Sequence, residues 1–137
     1  MKKDVDYMLV QKFAWNDYVD SGLVKSGRLI ITKNFIFMLI EKEDFGKSLN
    51  YDPIKVENLL NVAEQVDVID FETELLDIIP NPSIFKIENL EYLEVTNSFI
   101  AGGMAFKRKS DQDGVSFEIP KRSVRKEVVE FCKDIVK

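Results

Sequence analysis

The sequence predicts a mainly β domain with helices, laid out as sheet, long helical insertion, second sheet and closing helix. Three observations carry this reading. Two β-rich runs between Gly27 and Ile40 break at Lys33 and Asn34, as a hairpin would. A second alternating region runs from Phe106 to Ile119. Behind it, Val124, Val128, Phe131 and Ile135 recur at helical spacing on one stripe.

The 137 residues suit one domain, enough to bury roughly 65 to 70% of the unfolded surface around a core. With 45% hydrophobic and 31% charged residues, the chain is too apolar for disorder and has enough charge for a soluble exterior. The longest apolar run, Phe35 to Ile40, is strand-sized, far short of the roughly 20 residues that span a bilayer. Acids at Asp4 and Asp6 stand where a signal peptide needs an apolar core, so the expected location is the cytoplasm. A single cysteine, Cys132, rules out an intrachain disulfide framework and fits a reducing compartment.

The net charge of −5 is unevenly spread. Residues 52 to 79 hold eight acids against Lys55 alone, while the segments on either side are each +1. That insertion would repel nucleic acid, and no nucleic-acid partner is expected.

Taken in order, residues 1 to 20 fit two patterns. Val5, Tyr7, Leu9, Phe13 and Trp15 alternate as on a strand, while Val5, Met8, Leu9 and Lys12 would lie along a helix. Ser21-Gly22 and Ser26-Gly27 frame Leu23 to Lys25 as a short strand. Phe35 to Ile40 is apolar on both faces, whereas a lone antiparallel sheet leaves one face wet. Something must cover the outer face, and the insertion is the nearest candidate. Where it leaves Ile36, Met38 and Ile40 bare, these form the expected interface for a protein partner or a second copy of the chain.

Asp52-Pro53 is a strong helix start, because Asp accepts backbone N–H bonds and Pro is already near helical φ. Val56, Leu59, Leu60 and Ala63, then Phe71, Leu75 and Ile78, predict two helices or one bent helix with its acids outward. Pro80 and Pro82 end the insertion. Phe85, Ile87, Leu90, Leu93 and Val95 supply the next extended stretch, with a phase shift near Asn89. Asn97 to Gly103 reads as a loop or bend around Gly102-Gly103. A hairpin follows, turning at Asp113-Gly114 with Phe106 and Phe117 inward. Pro120 stops it, and Ser123 is the expected N-cap of the last helix.

In this order, Gly27-Arg-Leu-Ile-Ile-Thr32 and Asn34-Phe-Ile-Phe37, with Ile87, Leu90, Val95 and the stretch Val115 to Ile135, resemble a pleckstrin-homology-like domain of the GRAM-type and bacterial kind. The resemblance spans about two thirds of the chain and implies an antiparallel two-sheet sandwich or partly open barrel capped by the terminal helix. The insertion at about 52 to 79 departs from the simplest members. Function across the family ranges over lipid binding, protein binding and scaffolding, so the resemblance implies an interaction module without naming its ligand.

Members that bind phosphoinositides use bases around the first strand and hairpin, where Lys25, Arg28 and Lys33 stand here. A denser basic group comprises Lys107, Arg108 and Lys109 with Lys121, Arg122, Arg125 and Lys126, which a hairpin would bring together as a site for anionic lipid or phosphate. The plain alternative is a solvated strand face and helix start. Without histidine there is no Ser-His-Asp triad, Cys-His pair or His-ligated metal. Asp111-Gln-Asp113-Gly114 resembles the start of a calcium loop, but Arg122 stands where its bidentate Glu belongs. Cys132 falls beside the helix stripe and reads as a small buried apolar residue. Carboxylate pairs such as Glu41 with Glu43 or Glu72 with Glu74 would support a hydrolase only inside a cleft. No catalytic residue, cofactor or metal is expected.

Overall fold

The computed structural model describes residues 7–17, 23–44 and 46–135. It is mainly β, an antiparallel open sheet with three α-helices among the described residues. The strands are β1 (Tyr7–Asp17), β2 (Leu23–Thr32), β3 (Phe35–Glu43), β4 (Gly46–Lys47), β5 (Ile84–Lys86), β6 (Leu90–Asn97), β7 (Gly102–Arg108) and β8 (Val115–Glu118). Helices α1 (Pro53–Asn61) and α2 (Val68–Ile78) form the insertion, and α3 (Arg122–Cys132) closes the chain.

The sheet order is β4-β3-β2-β1-β8-β7-β6, with β5 pairing the start of β3. Its two halves meet at one narrow seam, where β1 and β8 pair only at Ala14 and Glu118. The sheet curls there, so inward residues of β2 and β3 (Leu29, Ile31, Ile36, Met38, Ile40) share one core with Leu93, Met104, Phe106 and Phe117 from the other half. Rings span this core in sequence: Phe13 to Phe117 at 5.0 Å, Phe117 to Phe106 at 5.8 Å and Phe106 to Phe85 at 4.7 Å between centroids. Val128 and Cys132 of α3 seal it.

A second core lies on the other side of β1 to β3. Ile30, Phe37 and Leu39 point outward and are buried by Val56 and Leu59 of α1 and by Phe71 and Leu75 of α2. Tyr7 packs its ring 4.8 Å from Phe71. The strand that is apolar on both faces therefore has a core on each side. The expected interface at Ile36, Met38 and Ile40 is corrected: these side chains are at most 8% exposed, because they face the central core rather than a partner.

Several local readings change for physical reasons. The ambiguous N-terminal segment is a strand with a bulge between Val10 and Phe13, which puts both in the central core three residues apart and breaks the alternation. Val5 and the Ser21-Gly22 turn signal lie outside the described residues. Leu23 to Lys25 is not a separate strand, since β2 continues through Ser26-Gly27 with only a register shift against β3. Gly102 and Gly103 belong to β7 rather than to a bend, and a Cβ on Gly103 would stand 1.9 Å from the Phe117 carbonyl oxygen. Lys121, not Ser123, precedes α3 as its cap residue, with no side-chain cap bond.

The acids of the insertion do not all face out. Glu72 is 4% exposed, receives hydrogen bonds from Asn34 Nδ2 at 3.0 Å and Asn34 N at 3.3 Å, and makes a short bond with the Thr32 hydroxyl. One buried carboxylate thus ties α2 to the β2–β3 turn.

A candidate docking tip at the β6–β7 turn

The β6–β7 hairpin closes over Ser98 to Ala101, with Asn97 opposite Gly102. Polar bonds fix the turn: Ser98 N donates to the Ala101 carbonyl at 2.9 Å, Ser98 Oγ donates to the same oxygen at 2.6 Å, and Ala101 N donates back to Ser98 Oγ at 3.1 Å. At its apex stand Phe99, 80% exposed, and Ile100, 89% exposed. Adjacent large apolar side chains on a braced turn cannot retreat into a core by a small rotation.

Arg125 is the brace behind the turn. It is 2% exposed, and its guanidinium donates to Asn97 Oδ1 at 3.0 Å and to the carbonyls of Ile119, Pro120 and Ser98 at 2.8, 3.1 and 3.3 Å. Its stem crosses Gly102 so closely that a Cβ there would lie 2.8 Å from Arg125 Cδ. Arg122 lies outside, its guanidinium 4.8 Å from the centroid of the Phe99 ring. Lys121 and Lys126 are exposed on the same helix start, and no acid occurs in the first turn of α3.

The bases grouped by the sequence are not one site. Strand β7 runs about 20 Å from Gly102 at the tip to Arg108 at its far end, which separates Lys107, Arg108 and Lys109 from Arg122 and Arg125. Lys107 pairs with Glu91 at 3.2 Å. Arg108 is a clasp across the open edge of the sheet: it donates to the carbonyls of Asn81, Pro82 and Ile84, pairs with Asp111 at 2.9 Å and stacks 4.0 Å over Phe85. Lys109 is exposed.

The bases expected around the first hairpin are equally dispersed. Lys25 sits 5.5 Å over the Trp15 ring. Arg28 donates to Glu41 at 2.8 Å, Glu57 at 2.9 Å and the Tyr51 hydroxyl at 3.1 Å, tying β2 and β3 to α1. Burial works against its charge, but these bonds more than offset it and hold the guanidinium protonated well above its ordinary range. Lys33 is exposed at the β2–β3 turn, beside a shallow pocket that also includes Lys86, Glu88 and Asp134. Arg28, Lys107, Arg108 and Arg125 are therefore engaged within the fold, and Arg122 is the exposed base whose guanidinium lies against the tip's Phe99 ring.

Cys132 is fully buried, and burial pushes its thiol up to about 12. Among the described residues no group of three or more His, Cys, Asp or Glu side chains could hold a metal ion, and no helix is long and apolar enough to cross a membrane. Sequence reasoning passed over Phe99 and Ile100, although two large apolar residues between Ser98 and Ala101-Gly102 are a readable signal in a loop. Comparison with models of protein families, with curated proteins and with solved structures finds no match to this chain.

Proposed function

We propose that this chain is a non-catalytic interaction module of the pleckstrin-homology-like kind, working in the cytoplasm and docking through the Phe99–Ile100 tip. The observation that carries the reading is the exposure of these two side chains on a turn braced by Ser98 and by the buried Arg125. Meandering strands closed by a C-terminal helix support the fold resemblance, and the lone buried Cys132 supports a reducing compartment. The carboxylates offered for a hydrolase are partly committed elsewhere: Glu41 accepts from Arg28 and Tyr51, and Glu72 from Thr32 and Asn34. A docking protein, a second copy of the chain and a lipid surface are all occupants the tip can receive.

A benzophenone amino acid placed at position 99 tests the docking reading in cells. The expected result is a protein or lipid adduct from position 99 and none from position 69, where Ile69 is also 69% exposed but lies on the acidic insertion. Adducts from 69 alone, or none from 99, would overturn the tip as the docking element.

A further inference from the structure

We infer that the chain pairs with a second copy of itself through the free edge of β6, joining the two sheets antiparallel across a two-fold axis at Val95. The contrast with the other edges is the first reason. A row of unpaired backbone N–H and C=O groups is a template for another strand, and folds blunt such edges by shortness, lysine, proline or cover. Here β4 is two residues long and ends on Lys47, and β5 has its Ile84 carbonyl taken by Arg108. Strand β6 is eight residues long, has no Lys, Arg or Pro, and ends the sheet order. Among the described residues, no backbone bond from outside the β6–β7 ladder reaches the stretch from Glu91 to Asn97.

Backbone direction is the second reason. Along an antiparallel ladder, residues whose groups face one neighbouring strand alternate with residues whose groups face the other side. The Gly102 carbonyl accepts from Ile119 N at 3.0 Å on the β8 side, and Ser98 N donates to the Ala101 carbonyl across the turn. Gly103 and Ala105 therefore face β6, where they oppose Thr96 and Glu94. The N–H and C=O groups of Leu93, Val95 and Asn97 are left for the open side. They are spaced evenly about Val95, so a second copy turned end for end sets Val95 against Val95 and Leu93 against Asn97, each pair exchanging both bonds.

Side chains and entropy are the third. On the outer face Glu94 then meets Thr96, and no like charges stand directly opposite one another. Leu93 and Val95 pack on the central core, so the edge is held extended before any partner arrives. A second copy brings an edge extended in the same way, whereas a free peptide would first lose its backbone freedom. The turn from Ser98 to Ala101 lies beyond the paired stretch, so this contact is separate from docking by the tip and does not depend on it.

Sedimentation equilibrium across a dilution series tests the inference. So small an interface is expected to give a dimer that dissociates on dilution in roughly the micromolar range. T96K sets an ammonium opposite Glu94 on both sides of the axis and should tighten the dimer about threefold or more, while E94K/T96K sets lysine against lysine and should weaken it by a similar factor. Both positions are exposed, so thermal melts of these variants should match the wild type. Oxidation reads the register, because positions 94 and 96 of the two copies form a non-hydrogen-bonded pair about 4.5 Å apart at Cα, within disulfide range. With Cys132 buried, an equimolar mixture of E94C and T96C should form covalent dimer faster than either variant alone. A chain that stays monomeric up to roughly 1 mM, a dimer that neither lysine variant moves, or equal cross-linking by the mixture and the single variants would overturn the inference.

Discussion

The two halves of the sheet turn different outer faces to their surroundings. On β3, Ile36, Met38 and Ile40 enter the central core while Phe37 and Leu39 enter a second core beneath α1 and α2. On β8, Val115 and Phe117 point inward, and the residues between and after them, Ser116 and Glu118, are exposed. A helical cover sits where the outer row is apolar and is missing where that row is polar. The insertion is therefore part of the fold's stability, and the bare half is the one that carries the tip.

Phe37 and Phe99 mark the extremes of this contrast. Phe37→Ala is expected to cost about 3–5 kcal/mol, because it empties a fully buried site under the insertion. Phe99→Ala should stay within about 0.5 kcal/mol of the wild type. Chemical denaturation of the two variants checks both values; similar costs would mean that the tip is packed rather than presented.

The polar lock beneath the insertion can be opened separately. Glu72→Ala leaves donors of Thr32 and Asn34 without their acceptor and should cost about 1–3 kcal/mol, whereas the exposed neighbour Glu74→Ala should cost little. If the two variants melt together, the insertion is held by its apolar face alone.

A smaller effect reads the central core through pH. The Cys132 thiol, ordinarily near 9, is raised by burial to about 12, so above pH 9 it ionises in the unfolded chain but stays neutral when folded. The unfolded state then binds fewer protons, and stability falls with rising pH, by at most about 1.4 kcal/mol per unit until the folded thiol also titrates. Tyr51, raised by burial and by its bond to Glu41, contributes with the same sign. Melting temperature against pH should fall less steeply above 9 in C132A, which lacks the thiol's part. An unchanged slope would place the thiol in contact with water.

Much of this architecture was legible because local chemistry and tertiary packing agree. Lys33 and Asn34 do form the turn between β2 and β3, Asp52 does accept from the N–H groups of Ile54 and Lys55, and Phe106 and Phe117 do meet inside the last hairpin. The alternation of β1 was hidden by its bulge, since one shifted register moves every later side chain to the other face. Charged residues misled where they lie on a buried stripe. Arg125, Val128 and Cys132 share a helical row, as do Glu72, Leu75 and Ile79, yet charge alone argues for exposure until carbonyl or hydroxyl partners are known. The basic group failed for a related reason, because β7 carries Lys107 and Arg108 away from α3 rather than toward it. Apolar spacing could not decide which face of β3 meets the insertion, as both rows are equally hydrophobic.

Ile69 and Ile100 are both strongly exposed, one among the acids of α2 and one at the apex of the β6–β7 turn. With Cys132 buried, a nitroxide can be attached selectively to I69C or I100C, and its collision with oxygen and with a polar nickel complex reads immersion in lipid. On phosphatidylglycerol-containing vesicles the label at 100 should gain oxygen access and lose contact with the nickel complex, while the label at 69 stays in water. Labels that remain equally wet would remove a lipid surface as the occupant of the tip, and immersion at 69 instead of 100 would contradict the assignment of docking to the β6–β7 tip.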